Sequence, residues 1–237
     1  MEVLRKKFKF FYYNYILLFR RKRIHILSDS HGEVFKYVSF SSLGNDVFPK
    51  YCIVPGATAS GLVNPNSKTQ AFPLFMNHLE SFVFKKDYII LLLGEVDCGF
   101  AIWIRAEKHG ISVTSQLKTT LGNYFNFIKN LKGESKRIIV CSAIPPTIKD
   151  GVSLGEVANL RKIVKASQKD RTDLTRKFNQ ELKKFCAENN FMFLDLDEIL
   201  IDQKTGTVKE YFMNVDPKDH HLDHQKLAEV INTFFRK

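Results

Sequence analysis

Short, nearly unbroken apolar runs alternate along this chain with longer stretches in which apolar residues recur every three or four positions. The runs are Ile24–Leu27, Tyr51–Val54, Tyr88–Leu93, Ile138–Ala143 and Phe191–Leu196. Each is bounded by glycine, proline or charge, and continuous hydrophobicity over so few residues marks a strand buried on both faces of a parallel sheet. Between them Val113, Leu117, Leu121, Tyr124, Phe125 and Ile128 keep helical spacing. So do Leu174, Phe178, Leu182 and Phe185, and near the end Leu227, Val230, Ile231 and Phe234. This alternation predicts an α/β protein, a three-layer αβα sandwich on a central five-stranded parallel sheet with right-handed crossovers. Three longer connections, 56–69, 94–110 and 145–155, follow strand ends and fall on one rim of such a sheet, where ligands and chemistry collect.

Composition adds few constraints. A length of 237 residues is ample for one large core. Residues 24–237 read as a single domain and residues 1–23 as a basic, aromatic arm. The formal net charge of +11 suggests nucleic acid until it is located: the arm carries eight basic residues against Glu2, leaving only +4 for the body. A basic field over the domain is therefore not supported, and no nucleic-acid partner is expected. Within the arm, Phe8 to Phe19 is too short to span a bilayer and is followed by Arg20–Arg23 instead of a small-residue cleavage site. Aromatic residues flanked by positive charge suit peripheral contact with an anionic membrane surface; a disordered extension is the alternative. Cys52, Cys98, Cys141 and Cys186 are scattered without metal-like spacing, as in a reduced, cytoplasmic protein.

Four segments can carry chemistry. Asp29-Ser30 ends the first strand, with His31-Gly32 next. A serine hydroxyl there becomes a nucleophile if a base reaches it; otherwise it caps the helix that follows. His31 reads as a loop residue, since neighbouring side chains on such a turn diverge. Pro55 to Gly61, after the second strand, is small enough for backbone to approach a ligand, with Gly56 a candidate oxyanion donor, or is simply a turn. Gly94-Glu95-Val96-Asp97 after the third strand puts two carboxylates at a strand end, where they orient a site or hold a loop. Downstream, Trp103 and Arg105 offer a stacking face and an anion or sugar contact, or a packed indole and a surface charge. Last, Asp216 to His224 precedes the final helix. A histidine oriented by a carboxylate is the general-base half of a triad. His220 and His224 on one helical face would suit zinc, but no distant third ligand is evident, and no metal or cofactor is assigned. Nucleotide cradles of the GxGxxG or GxxxxGK[ST] type are absent.

In order and in placement at strand ends, these segments resemble the blocks of the SGNH/GDSL hydrolase family, from about residue 24 to the C-terminus. Ser28-Asp29-Ser30 resembles the Gly-Asp-Ser nucleophile block, Gly56 the oxyanion glycine, Gly94-Glu95-Val96-Asp97 the Gly-x-Asn-Asp block, and His221-Leu222 the block with the base. The resemblance implies a flavodoxin-like fold and cofactor-free hydrolysis of ester or acetyl groups on lipids or glycans. Ser30 would attack, His221 would carry the proton, and Asp219 would orient the ring. The N–H groups of Ser30 and Gly56 would hold the oxyanion, with Asp29, Gly94, Asp97 and Arg105 shaping the site. Three departures stand out. Ser28 replaces a glycine. Lys218 occupies the usual place of the acid, leaving Asp219 and Asp216 as alternatives and His220 as a second base. Val96 replaces an asparagine that donates to the oxyanion, a loss of about 10²–10³ in rate unless another donor such as Arg105 substitutes. An esterase or O-deacetylase is the leading expectation. A non-catalytic ligand- or glycan-binding relative and an O-acyltransferase are its rivals; oligomeric state is not legible.

Overall fold

The computed structural model describes residues 22–44, 47–82, 86–131, 134–151 and 162–236. Most of the arm, residues 1–21, lies outside the described residues, and so does the proposed membrane contact through it. Five strands, β1 (Arg23–Ser28), β2 (Phe48–Ile53), β3 (Tyr88–Leu92), β4 (Ile138–Cys141) and β5 (Met192–Leu194), form one sheet in the order β2-β1-β3-β4-β5. Every pairing is parallel. The α/β sandwich with a five-stranded parallel sheet is thus present as expected.

Period-two alternation divides the core between the two faces of the sheet. Leu27, Ile89, Leu91 and Val140 point to one face, where they meet α1 (Ala71–Leu79), α2 (Ile102–His109), α3 (Val113–Lys129) and α4 (Gln168–Glu188). Ile26, Ile90, Leu92 and Ile139 point to the other. There they meet a 3-10 segment (Ser30–Tyr37), the short α5 (Asp197–Leu200) and α6 (His224–Phe235). Leu174, Phe178, Leu182 and Phe185 are all buried along α4, as their spacing demands. On α6 the deeply buried positions are Leu227, Ala228, Ile231 and Phe235; Phe234 and Val230 pack only at its margin. Polar caps fix where these helices start. Ser112 accepts from Ser115 N–H, Ser167 and Asp170 form a reciprocal capping box, and Asp223 accepts from the N–H groups of Gln225 and Lys226.

Three elements depart from the sequence reading. β5 is an edge strand, with Met192 and Phe193 only half-buried. β2 is an edge strand, half-buried instead of covered on both faces, and begins at Phe48 because backbone pairing of Arg23 with Phe48 sets its register. The connection 94–110 is largely helical: a π turn (Asp97–Ala101) runs directly into α2. Strand order reverses between β1 and β3, which opens a crevice beyond their carboxyl ends. The tails of β1 and β3, Asp29-Ser30 and Gly94 to Asp97, emerge there. No described helix is long and apolar enough to cross a membrane.

Candidate active site

At the tip of β1 the chain is fastened before it turns. Ser28 is fully buried, and its hydroxyl donates to the Leu92 carbonyl at 2.8 Å, so the serine in place of a glycine stitches β1 to β3. A Cβ at Gly32 would overlap Ser28, so the turn can fold back over Ser28 only with glycine there. Asp29 caps the 3-10 segment, and its Oδ1 accepts from both the backbone N–H of His31 (2.9 Å) and its ring Nδ1 (3.1 Å). Ser30 is half-buried at the first position of that segment.

The C-terminal block closes on this tip. Asp219 Oδ1 receives His221 N–H at 2.9 Å and sits 2.6 Å from His221 Nδ1. Asn214 Nδ2 steadies the other oxygen, Oδ2, at 2.9 Å. Asp216, by contrast, is exposed and spends an oxygen on Lys218 N–H, so the acid that orients the ring is Asp219. Burial pushes the His221 imidazole below its ordinary pKa and the neighbouring His31 adds to this, against the opposing pull of Asp219. Burial alone would raise Asp219, but the His221 N–H and ring hold it below the usual carboxylate range. With Nδ1 committed to Asp219, the remaining ring nitrogen, Nε2, is buried and has no hydrogen-bond partner.

His31 is the residue that sequence reasoning placed wrongly. It does not diverge into a loop: it is buried, with its ring centroid 4.9 Å from that of His221 and 5.7 Å from that of His220. His220 and His221 are 4.1 Å apart by the same measure. α6 starts only at His224, so His220 and His224 do not share a helical face; the companions of His220 are His221 and His31. The hydroxyl of Thr147, from the loop after β4, donates to the His220 carbonyl. Neither Thr147 nor Asn214 is marked by any pattern in the sequence.

The other expected site residues are brought to the same rim but face a different task. Asp97 is fully buried and accepts from Ala59 N–H (2.6 Å), Ser60 N–H (3.2 Å) and Ser60 Oγ (2.8 Å), tying the loop after β2 to that after β3. Burial pushes its carboxyl up to about 6 even against these donors. Arg105 engages the Ser60 hydroxyl, so it belongs to the Asp97–Ser60 network. Trp103 donates its indole N–H to Cys98 O at 2.7 Å and packs on the core. Gly56 is exposed in the turn after β2 with φ +73°, and Val96 is half-buried at the head of the π turn. Beside the histidines lies a cavity of about 300 Å³ bounded by Asp219, His220, Asn214 and Thr147, with the Lys149–Glu210 ion pair (2.6 Å) in its wall. A second cavity, between α1 and α3 and lined by Phe72, Met76 and Phe127, shares none of these residues.

Compared by sequence, no protein-family model and no curated protein matches the chain. Compared by structure, it is similar to a candidate platelet activating factor from Streptococcus pneumonia, at 15% identity and TM-score 0.54, over 92% of this chain and 85% of that one. It is similar also to a candidate arylesterase from Agrobacterium tumefaciens, at 13% identity and TM-score 0.53, over 91% of this chain and 98% of the other. A carbohydrate acetylesterase family member from Sinorhizobium meliloti aligns at 13% identity and TM-score 0.52, over 91% and 97% of the two chains. At these identities the likeness is one of fold, an αβα sandwich on a five-stranded parallel sheet.

Proposed function

We propose that the chain is a serine hydrolase of carboxylic esters, acting as an O-deacetylase or esterase on a polar substrate such as a glycan. The observation that carries this reading is the Asp219–His221 pair, closed at 2.6 Å and packed against the strand tip that bears Ser30. An imidazole whose Nδ1 is held by a carboxylate keeps Nε2 as the basic nitrogen. In the proposed reaction Nε2 takes the Ser30 proton as Oγ attacks the acyl carbon, then returns it to the departing alcohol. Water, activated by the same nitrogen, releases the acid and restores Ser30. The N–H groups of Ser30 and Gly56 are the proposed oxyanion donors.

Lys149, Glu210 and Asn214 at the cavity beside His220 offer hydrogen-bonding partners to a hydroxyl-bearing leaving group. The esterases and acetylesterase among the structural neighbours are consistent with the reading, at the level of fold. Val96 supports a second reading, a ligand-binding relative without turnover, because it offers no side-chain donor where the resemblance implies an asparagine. A fluorophosphonate separates the two. Covalent labelling at Ser30, abolished by Ser30→Ala together with p-nitrophenyl acetate hydrolysis, is the expected result. A folded protein that neither labels nor hydrolyses the ester would favour the binder. An acyltransferase would show itself by a faster turnover when a sugar alcohol is supplied as acceptor.

A further inference from the structure

We infer that His31, His220 and His221 form a binding site for one divalent transition-metal ion, with zinc as the best fit. Among the described residues these three are the group of potential ligands that comes together, their ligand nitrogens all within 4.8 Å of one another. They come from opposite ends of the sequence, and the third ligand missing from the sequence reading is supplied by the strand tip. The inference does not depend on the serine mechanism.

Three features point to a metal rather than to three rings that merely pack. First, two of the imidazoles are backed by carboxylates: His31 Nδ1 by Asp29 Oδ1 at 3.1 Å, and His221 Nδ1 by Asp219 Oδ1 at 2.6 Å. A carboxylate behind a histidine fixes the tautomer and ring orientation and raises the basicity of the far nitrogen, the usual outer shell of a metal-bound imidazole. Second, His221 Nε2 is buried without a hydrogen-bond partner, a lone pair turned inward with nothing on it. Third, the donor set is chemically selective. Three neutral nitrogens with two carboxylates behind them suit a borderline ion such as Zn²⁺ or Co²⁺, whereas Mg²⁺ and Ca²⁺ require oxygen ligands. Three protein ligands with an open fourth position is the arrangement of zinc sites that retain a water.

Tetrahedral bonds of about 2.0–2.1 Å place ligand nitrogens about 3.3–3.4 Å apart. The three rings must therefore close by about 1.5 Å at most, and His220, half-exposed and without a fixed place in a helix, is the one positioned to move. Zinc on His221 Nε2 takes the lone pair that would otherwise accept the Ser30 proton, so the bound ion shuts off the serine chemistry.

The test uses the untagged, chelator-stripped full chain, titrated calorimetrically with Zn²⁺ and followed in parallel by the visible absorption of Co²⁺. One equivalent is expected per chain. His220→Ala and His31→Ala should each weaken it at least about tenfold, and Asp29→Asn by about 10–100-fold through the outer shell. His224→Ala and Ser30→Ala should leave it unchanged. His220→Ala is the informative variant if His31→Ala does not fold, because His220 is the more exposed ring. Absence of stoichiometric binding, binding undiminished by His220→Ala, or loss of binding on His224→Ala would overturn the site. Fluorophosphonate labelling of Ser30 at an undiminished rate with zinc bound would overturn the shut-off of the serine while leaving the metal site standing. Binding retained in Ser30→Ala keeps the metal site separate from the hydrolase reading: either can fail while the other stands.

Discussion

Gly94→Ala should be among the most damaging single-methyl additions in this protein. Gly94 follows β3 with φ +123°, a conformation that residues with a side chain rarely adopt. A Cβ there would lie 2.7 Å from Ala143 Cβ and 2.8 Å from Phe178 Cε1. Neither neighbour can retreat cheaply. Ala143 is clamped by Asn179, which accepts from its N–H at 2.7 Å and donates to its carbonyl at 3.0 Å. Phe178 is fully buried and stacked on Tyr124 with centroids 6.2 Å apart. Backbone strain of about 1–3 kcal/mol and overpacking of about 1–3 kcal/mol sum to about 2–6 kcal/mol. In a domain of this size each kcal/mol moves Tm by about 2–4 °C, so the expected fall is about 4–24 °C. Gly110→Ala is the control: its φ is +62° but no atom lies within 4 Å of the added carbon. Only the left-handed cost of about 1–2 kcal/mol applies there. Thermal unfolding of both variants, with urea titrations to check m, decides. Equal shifts would refute the steric argument, and so would failure of Ala143→Gly to recover part of the loss in the double variant.

Other consequences can be measured alongside. Asp219→Ala should lower ester hydrolysis by up to about 10⁴-fold while Asp216→Ala leaves it near wild type; the reverse pattern would reassign the acid. Val96→Asn, restoring an amide at the head of the π turn, should raise kcat by up to about 10²–10³-fold if an oxyanion donor is what the site lacks; an unchanged rate means that position does not face the oxyanion. Burial pushes Asp197 from its ordinary 3.8 up to about 6. The fold therefore holds this proton more tightly than the unfolded chain does, and the group's contribution is full below about pH 4 and lost as pH rises through about 6. That loss amounts to about 3 kcal/mol. Asp197→Asn should flatten the decline and be more stable than wild type at pH 7 but not at pH 4; parallel urea curves at both pH values would refute the assignment.

What the sequence revealed and what it hid follow from the range of each interaction. β1, β3 and β4 were legible because both faces of each meet the core, leaving unbroken apolar runs. At the sheet edge β2 carries half-exposed residues, and its start depends on backbone pairing, which leaves no mark on hydropathy. The helical character of 94–110 was concealed because Asp97 and Gly99 interrupt the apolar pattern, although Asp97 is buried and satisfied by donors some 38 residues away. The same reasoning explains the site. Asp219 and His221 are two apart, and their pairing is local enough to be guessed. The choice between Asp219 and Asp216 depended on Asn214, and the position of His31 on a 3-10 turn that Asp29 bends inward. Contacts between residue 31 and residues 220 and 221 are products of the parallel topology, which no short-range pattern encodes.

The rival readings of this site meet at one atom. Asp219 holds the His221 ring and leaves Nε2 buried without a partner, and the two proposals each claim its lone pair, for a serine proton or for a metal ion. Val96 would weaken the first use, because the proposed attack by Ser30 would create a negative charge to which a valine side chain can donate no hydrogen bond. His31 strengthens the second, because a buried imidazole backed by Asp29 completes a three-nitrogen donor set, while its effect on His221 is to make that ring a weaker base. An ion in that set would bring positive charge to the strand tip, yet only by consuming the base the proposed serine mechanism requires. Val96 and His31 thus fall on opposite sides of a single choice, and the occupant of His221 Nε2 would decide which chemistry the strand tip serves.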